Sequence, residues 1–194
     1  MLKIAALVSG GGTNLQALID SIAAGHIKGA VIDTVISSNN HAFALVRAKR
    51  HGIDFAVFAK KNFADEAARG KALLEYLQRR GIGLIVMCGS LMILCEELIR
   101  IYEKRIINIH PSLLPDFGGR GMHGIAVHQA VLAAGVNQTG ATAHYVNEVI
   151  DGGEIILQQA VDVLPDDTPE SLQQRVLGVE WQILPKAVKI FLGE

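Results

Sequence analysis

The chain has 194 residues, half of them hydrophobic and 19% charged, and its formal net charge is −1. This composition excludes a disordered protein, which would need fewer apolar residues and more net charge, and it excludes a basic surface spread over the whole chain for nucleic acid or anionic membranes. For this length we expect a single domain, residues 1–194, with a sizeable core.

Signals for export and for membrane insertion are absent from the residue pattern. Met1 leads directly into a strand-like run, without the apolar region and cleavage site of a signal peptide. No apolar stretch approaches the ~20 residues of a membrane span. Cys88 and Cys95 both stand among apolar residues, so we expect reduced, buried thiols and no disulfide. Together these features predict a cytoplasmic location.

Short apolar runs alternate with amphipathic stretches through the first two thirds of the chain. The predicted strands there cover residues 4–8, 31–36, 55–58, 84–88 and 105–110. The first predicted helix begins at 13 or 14, and the others cover 42–50, 63–80, 94–102 and 125–134. Such alternation is typical of βαβ units, so we predict a doubly wound, Rossmann-like α/β fold with a mainly parallel sheet and helices on both faces.

The last third of the chain predicts two further strands and a long final helix. The strands cover about 141–146 and 154–163 and flank a turn at 151–153. The helix begins after Thr168, with Pro169 at its first position, where proline is favoured, and we expect Pro185 to kink it. Its predicted inward residues are Leu172, Val176, Val179, Ile183 and Ile190.

A glycine-rich loop, Ser-Gly-Gly-Gly-Thr-Asn at 9–14, joins the first strand to the first helix. Consecutive glycines let the backbone approach an anion, and a helix N-terminus offers free N–H groups at the positive end of the dipole. The spacing matches neither the dinucleotide fingerprint nor a Walker loop. The loop is therefore a candidate phosphate site, and the alternative is a tight turn with Thr13 as the N-cap.

The segment IINIHPSLLP at 106–115 carries the clearest chemical signal. Side chains alternate across a strand, so Asn108 and His110 share one face at the carboxyl end of a central strand, where ligands gather in such folds. Burying idle polar groups there would cost stability. An isolated histidine of this kind is more often a satisfied structural residue, but its pairing with Asn108 makes a catalytic role an equal alternative. Asp151 follows in the sequence VIDGG, for which an Asx turn is the simpler interpretation when it is taken alone.

Three segments together resemble the phosphoribosylglycinamide formyltransferases (glycinamide ribonucleotide transformylases), a family of folate-dependent formyltransferases. They are SGGGTNLQ at 9–16, NIHPSLLP at 108–115 and DGGEIILQ at 151–158, and the resemblance extends over essentially the whole chain. It implies transfer of the formyl group of 10-formyltetrahydrofolate to the amine of glycinamide ribonucleotide, in de novo purine biosynthesis.

The resemblance implies a catalytic set of Asn108, His110 and Asp151. Direct attack of an amine on a formyl group passes through a tetrahedral oxyanion, which needs preorganised donors. The Asn108 amide and a protonated His110 are expected to supply them. Asp151 is expected to raise the pKa of His110, to hold its ring and to relay a proton from the amine to the departing folate nitrogen. No covalent enzyme intermediate and no metal are implied.

The resemblance also implies the substrate contacts. Those for the phosphate and ribonucleotide are Gly11, Gly12, Thr13, Asn14, Gly89, Pro111 and Glu180. Those for the folate are Leu91, Met92, Ile93, Leu94, Asn108, Asn147, Glu148, Val149 and Ile150. The alternative for Glu180 is an exposed helix charge. The Leu114–Pro115 bond is expected to be cis, as in relatives.

Two positions depart from the family pattern. Relatives usually carry basic residues where this chain has Met92 and Glu66, so positive charge that could meet the glutamate tail of a folate is missing. Arg120, in the loop at 117–124, is a candidate to compensate. His128 and His144 match family positions and are interpreted as structural, and His123 with His128 lacks a third metal ligand.

Three alternative functions use the same features. Formyltetrahydrofolate hydrolases share the catalytic set but carry an extra N-terminal domain, for which we expect no room here. Methionyl-tRNA formyltransferases share the strand motif, but they carry an appended C-terminal domain, lack this glycine loop and bind an RNA that a net charge of −1 suits poorly. A nucleotide-binding protein that has lost the chemistry is the third. We expect small-molecule substrates, no nucleic acid or membrane partner, and a monomer or homodimer.

Overall fold

The computed structural model describes all residues, 1–194. Its strands are β1 (Leu2–Val8), β2 (Ala30–Ser37), β3 (Asp54–Val57), β4 (Leu84–Met87), β5 (Ile106–His110), β6 (Gln138–Tyr145) and β7 (Ile155–Asp162). Its α-helices are α1 (Thr13–Ala23), α2 (Phe43–Arg50), α3 (Glu66–Arg80), α4 (Glu96–Ile101), α5 (Ile125–Ala134) and α6 (Pro169–Leu192). Every predicted strand and helix is present, most with bounds shifted by one or two residues.

The strands form one seven-stranded sheet in the order β3-β2-β1-β4-β5-β6-β7. β1 pairs in parallel with both β2 and β4, and β2 pairs in parallel with β3, whereas β6 and β7 are antiparallel. The order begins as in the Rossmann fold, and the antiparallel pair β6–β7 lies at one edge. The predicted α/β class with a mainly parallel sheet is confirmed.

Residues 1–107 form one compact unit. Its core contains Ile4–Val8 and all four residues of β4, which are buried as expected of strands covered on both faces. The predicted apolar faces of two helices are also buried, with Leu15, Leu18 and Ile19 on α1 and Leu73, Leu74 and Leu77 on α3. The apolar periodicity of this part of the sequence therefore identified its core.

The start of α3 differs from the prediction. The helix begins at Glu66 instead of about residue 63, because the Asp65 side chain accepts the Ala68 N–H at 2.7 Å and caps it. Phe63 instead stacks on Phe58, with ring centroids 5.7 Å apart. A prediction from apolar spacing alone therefore placed the start of the helix before its N-cap.

Both cysteines are free thiols, as predicted, but only Cys88 is buried, and Cys95 is half-buried. Burial raises the pKa of the Cys88 thiol to about 12. The expectation that both thiols are buried is therefore wrong for Cys95.

Residues 108–194 form the second compact unit, in which α6 packs on β6, β7 and α5. Thr168 and Ser171 cap α6 reciprocally, since each side chain accepts the other residue's backbone N–H. Four predicted inward residues of α6 are buried, but the prediction is wrong for Ile190, which lies in the last turn of the helix and is 50% exposed. Pro185 lies inside α6, and the kink there stays a prediction.

None of the helices combines the length and apolar character needed to cross a membrane. The structure divides into two compact units, and a single domain over residues 1–194 stays a prediction.

Candidate active site

The glycine loop ends in a residue with left-handed backbone conformation. Gly12 has φ 72° and ψ 33° and is the N-cap of α1, without any side-chain cap. The alternative with Thr13 as N-cap is therefore wrong, since Thr13 is already the first helical residue. Thr13 is half-buried and Asn14 is buried, so the exposed part of the loop is mostly backbone.

Helix α2 holds the carbonyl side of this loop. The Ala44 N–H donates to the Gly10 carbonyl at 3.1 Å, and Arg47 Nε donates to the Gly11 carbonyl at 2.9 Å. In a trans peptide the carbonyl and the following N–H point in opposite directions. The N–H groups of Gly11 and Gly12 are therefore directed away from α2, as an anion site made of backbone donors requires.

A second loop of this unit, residues 89–94, is tied to the first by Ser9. The Leu91 N–H donates to Ser9 Oγ at 2.8 Å, and Ser9 Oγ also lies 2.7 Å from Ser38 Oγ. The hydroxyl of Ser9 thus connects the start of the glycine loop to the predicted folate loop. Gly89, at the start of that loop, is exposed with φ 76°.

The predicted folate residues of this loop alternate between exposed and buried positions. Leu91 is 60% exposed and Ile93 is 71% exposed, whereas Met92 and Leu94 are buried. The loop therefore offers two apolar side chains to a ligand, and Met92 is turned inward. Exposed apolar side chains are typical of binding sites where they form a contiguous patch on the surface.

Glu66, the second position at which the resemblance implies a basic residue in relatives, is already paired. Glu66 makes ion pairs with Lys60 and Arg69, so its negative charge faces two cations. Arg69 is buried. The charge difference at Glu66 is thus partly neutralised within the same unit.

The three predicted catalytic residues come together in the unit 108–194. Asp151 Oδ2 lies 3.5 Å from His110 Nδ1, and Asp151 Oδ1 lies 3.5 Å from Asn108 Nδ2. The Gly119 N–H donates to Asp151 Oδ2 at 2.9 Å. Asp151 has φ 55°, a conformation that Asp and Asn tolerate better than most residues. The turn predicted at 151–153 thus places the carboxylate against the end of β5.

Burial decides the protonation of His110. Removal from water lowers the pKa of His110 below its ordinary value, and this outweighs the upward effects of the Asp151 charge and the Phe117 carbonyl. The Asp151 charge does raise the pKa of His110, as expected, but burial outweighs it, so the protonated His110 expected as an oxyanion donor is disfavoured. A carbonyl can only accept, so His110 Nε2 donates to the Phe117 oxygen at 2.9 Å, and in the neutral ring the lone pair is on Nδ1, beside Asp151.

Asp151 is held as a carboxylate. Burial alone would raise its pKa, but the neighbouring His144 and His110 rings and the Gly119 N–H together lower the pKa below the ordinary value. A proton taken up at His110 Nδ1 would therefore meet a negative charge. The pair is arranged to receive a proton and to stabilise the resulting imidazolium.

Buried hydrogen bonds fix the loop that follows β5. Thr142 Oγ1 donates to the Ser112 carbonyl at 2.6 Å and accepts the Leu114 N–H at 3.0 Å. Gln158 Nε2 donates to the Leu114 carbonyl at 2.9 Å. The Leu114–Pro115 bond is cis, as expected. These hydrogen bonds hold the segment that follows His110, which begins at the half-buried Pro111.

The remaining predicted contacts of this unit lie on a turn and on α6. Asn147 closes the turn on itself, accepting the Val149 N–H at 3.0 Å and donating to the Gly152 carbonyl at 3.1 Å. All the predicted folate residues there, Asn147, Glu148, Val149 and Ile150, are exposed. Glu180 is only 6% exposed, so the alternative of an exposed helix charge is wrong.

The side chains of Ser9, Arg47 and His144 make polar contacts to predicted site residues, although sequence reasoning assigned them no functional role. Ser9 stood inside the quoted motif, but its link to Leu91 spans 82 positions, and Arg47 reaches Gly11 over 36 positions. His144 was interpreted as structural, yet its Nε2 lies 3.1 Å from Asn108 Nδ2. Spacing along the chain carries no signal for contacts of this range. No cluster of three or more His, Cys, Asp and Glu side chains could hold a metal ion.

Comparison with known proteins gives concordant matches. Residues 2–188 match the family described as formyl transferase. The chain is 42% identical over 191 residues to a phosphoribosylglycinamide formyltransferase of Haemophilus influenzae, covering 98% of this chain and 87% of the relative. It is 37% identical to a chloroplastic phosphoribosylglycinamide formyltransferase of Arabidopsis thaliana, and the match covers 96% of this chain and 64% of that relative.

Solved structures match equally well. Glycinamide ribonucleotide transformylase 1 from Symbiobacterium toebii has a TM-score of 0.92 and 38% identity, covering 98% of this chain and 87% of that chain. A formyltetrahydrofolate deformylase from Pseudomonas syringae has a TM-score of 0.89 at 26% identity, and the match covers 99% of this chain and 61% of that longer one.

Proposed function

Because this chain belongs to the formyl transferase family, we propose that it transfers the formyl group of 10-formyltetrahydrofolate to the amine of glycinamide ribonucleotide, as a step of purine biosynthesis. The observation that carries the proposal is that Asn108 Nδ2 and His110 Nδ1 each lie 3.5 Å from a carboxylate oxygen of Asp151. The products are formylglycinamide ribonucleotide and tetrahydrofolate.

The reaction begins with attack of the amine nitrogen on the formyl carbon. The carbonyl bond opens to an oxyanion, and the amide of Asn108 is the proposed donor to it. Removing one such donor from an enzyme typically costs about 10²- to 10³-fold in rate. The bond from carbon to the folate nitrogen then breaks, so that one proton leaves the amine and one joins the folate.

His110 and Asp151 are the proposed carriers of that proton. A neutral His110 accepts it at Nδ1, Asp151 stabilises the imidazolium, and the ring returns the proton to the departing folate nitrogen. The lowered pKa of His110 favours the acceptor form before the reaction. General acid–base catalysis of this kind contributes about 10²- to 10⁴-fold.

We also propose the substrate contacts residue by residue. The backbone of Gly11, Gly12, Thr13 and Asn14 is proposed to bind the phosphate, and Glu180 to accept from ribose hydroxyls, with Gly89 and Pro111 beside the ribonucleotide. The exposed side chains of Leu91 and Ile93, the backbone around Met92 and Leu94, and residues 147–150 with Asn108 are proposed for the folate. A cytoplasmic location, the absence of nucleic-acid and membrane partners and a monomer or homodimer belong to the same proposal.

A spectrophotometric assay tests the function. With a 10-formyl folate and glycinamide ribonucleotide, we expect loss of the folate formyl group that depends on the amine. His110→Ala should abolish most of it, whereas His26→Ala, which changes an exposed histidine of the other unit, should not.

A hydrolase is the second candidate, favoured by the structural match to a deformylase. In that case water replaces the amine as the nucleophile. Release of the formyl group at the same rate without the ribonucleotide would establish the hydrolase and refute the transferase. Binding of both ligands with no release would leave only a binding protein.

A further inference from the structure

His144 lies on β6 with only 1% of its surface exposed. Its Nδ1 is 2.8 Å from the carbonyl oxygen of Tyr145, the next residue. A carbonyl only accepts, so Nδ1 carries the hydrogen, and in the neutral ring Nε2 presents a lone pair. The backbone of β6 thus selects the tautomer of this histidine.

The lone pair of His144 faces the Asn108 amide. His144 Nε2 is 3.1 Å from Asn108 Nδ2 and 3.6 Å from Asp151 Oδ1. It can accept a hydrogen from the amide, whereas it repels an amide oxygen. Of the two orientations of the Asn108 amide, which differ by a half turn, only the one with the NH₂ group toward His144 forms this bond.

The second hydrogen of the Asn108 amide is held much more weakly. Its nearest acceptor is Asp151 Oδ1 at 3.5 Å, at the limit of a hydrogen bond. Both hydrogens lie in the plane of the amide, so the bond to His144 also fixes the direction of the second N–H, which is left weakly bonded and available to another acceptor. A reversed amide would present its oxygen to the developing oxyanion and repel it.

We propose that His144 is a positioning residue of the active site, which orients the Asn108 amide so that one N–H is presented to the oxyanion of the transition state. In this proposal His144 acts through Asn108 and not on the substrate directly. The inference rests on the proposed function, because it assigns Asn108 as the oxyanion donor.

Two substitutions separate orientation from packing. His144→Gln places an amide oxygen near the position of Nε2, whereas His144→Asn replaces only the Nδ1 side of the ring. We expect His144→Asn to lower kcat about 10- to 100-fold, part of the loss seen when an oxyanion donor is removed, with both KM values changed less than about threefold. His144→Gln should restore most of kcat. Equal losses in the two variants, or losses in KM alone, would overturn the proposal.

A double variant tests the route through Asn108. If His144 acts by orienting that amide, His144→Asn should cause little further loss of kcat in an Asn108→Ala background. A full, multiplicative loss there would contradict the proposal. Wild-type activity in the same assay separates this outcome from failure of the proposed function.

A measurement without turnover decides the geometry even if a variant fails to fold. In ¹⁵N spectra of the wild-type chain, His144 should show the neutral tautomer with hydrogen on Nδ1, and one Asn108 amide proton should be shifted as a hydrogen-bonded donor. Hydrogen on Nε2 instead would remove the acceptor, and with it the proposal.

Discussion

The glycine loop of residues 1–107 and the Asn108–His110–Asp151 cluster of residues 108–194 are built by opposite means. In the loop, the groups proposed to bind a ligand are backbone N–H groups, while Ala44 and Arg47 donate to the carbonyls behind them. In the cluster, the functional groups are side chains, and buried neighbours set their orientation and protonation. A backbone site depends on the conformation at each Cα, whereas a side-chain site depends on charge and hydrogen bonding.

The largest expected effect is that of Asp151→Asn in the side-chain site. Asn tolerates the φ of 55° and keeps the shape of Asp, but it removes the charge that stabilises an imidazolium at His110. We expect kcat to fall by about 10³-fold, which corresponds to about 4 kcal/mol. Equilibrium binding of the ribonucleotide should be unchanged, because the loop is not altered.

Asp166→Asn is the matched control, since it removes an exposed carboxylate of the same unit. Steady-state kinetics and calorimetry on both variants make the test. A loss of ribonucleotide affinity equal to the loss of kcat would show that Asp151 serves binding, and the contrast between the two regions would fail.

The second effect concerns the buried histidines of residues 108–194. His128 is 1% exposed, and its Nδ1 has no hydrogen-bond partner. Burial first, and then the His110 charge, lower its pKa from 6.5 to about 4. The unfolded chain therefore binds this proton more readily, so the stabilisation is complete above pH 6.5 and is lost as the pH falls toward 4. The difference amounts to about 3 kcal/mol.

Denaturation followed by the fluorescence of Trp181 measures this loss, because that residue, the only tryptophan, lies on α6. The free energy of unfolding should fall between pH 7 and pH 4, and His128→Gln should flatten the dependence. His26→Gln, at an exposed position, should leave it unchanged. An equally steep dependence in both variants would place the acid sensitivity elsewhere.

These two predictions also show where sequence reasoning reaches and where it ends. Period-two alternation placed Asn108 and His110 on one face, and both contact Asp151 as expected. The net protonation of His110 could not be inferred, because it depends on how much water the packing of the whole unit removes. Likewise, apolar periodicity found every strand and helix but not the start of α3, which a single Asp65 hydrogen bond determines.

The glycine loop was likewise predicted only in part. Three adjacent glycines before a helix predicted a backbone site, and the left-handed Gly12 supports that interpretation. The support from α2 could not be predicted, because the Arg47 side chain meets a carbonyl 36 residues away. Contacts of that range follow from the sheet topology and not from local spacing.

A smaller effect is expected from Gly12→Ala in the backbone site. A Cβ at Gly12 would lie 2.6 Å from the Ala44 Cβ, and φ would remain at 72°. We expect a loss of about 1–3 kcal/mol in stability and a higher KM for the ribonucleotide. Gly11→Ala is the matched control, because nothing lies within 4 Å of its Cβ and its backbone N–H is kept. Equal effects of the two variants would mean that the loop is not held against α2.

The smallest expected effect is that of Arg47→Met, which keeps the side-chain stem and removes the hydrogen bonds to Gly11 and Gln16. A net contribution of about 0.5–1.5 kcal/mol for the bond to the Gly11 carbonyl predicts a rise of about 2- to 10-fold in KM for the ribonucleotide, with kcat nearly constant. Arg50→Met is the control, because Arg50 also stacks on Phe43 but lacks the bond to the loop. An equal rise in KM for the Arg50 variant would point to loss of stacking on Phe43 as the common cause. The hydrogen bond from Arg47 to the Gly11 carbonyl would then not be needed for ribonucleotide affinity. If only the Arg47 variant changes, a side chain that never meets the ligand sets the affinity of a site made of backbone, just as His144 is proposed to set the chemistry of a site made of side chains.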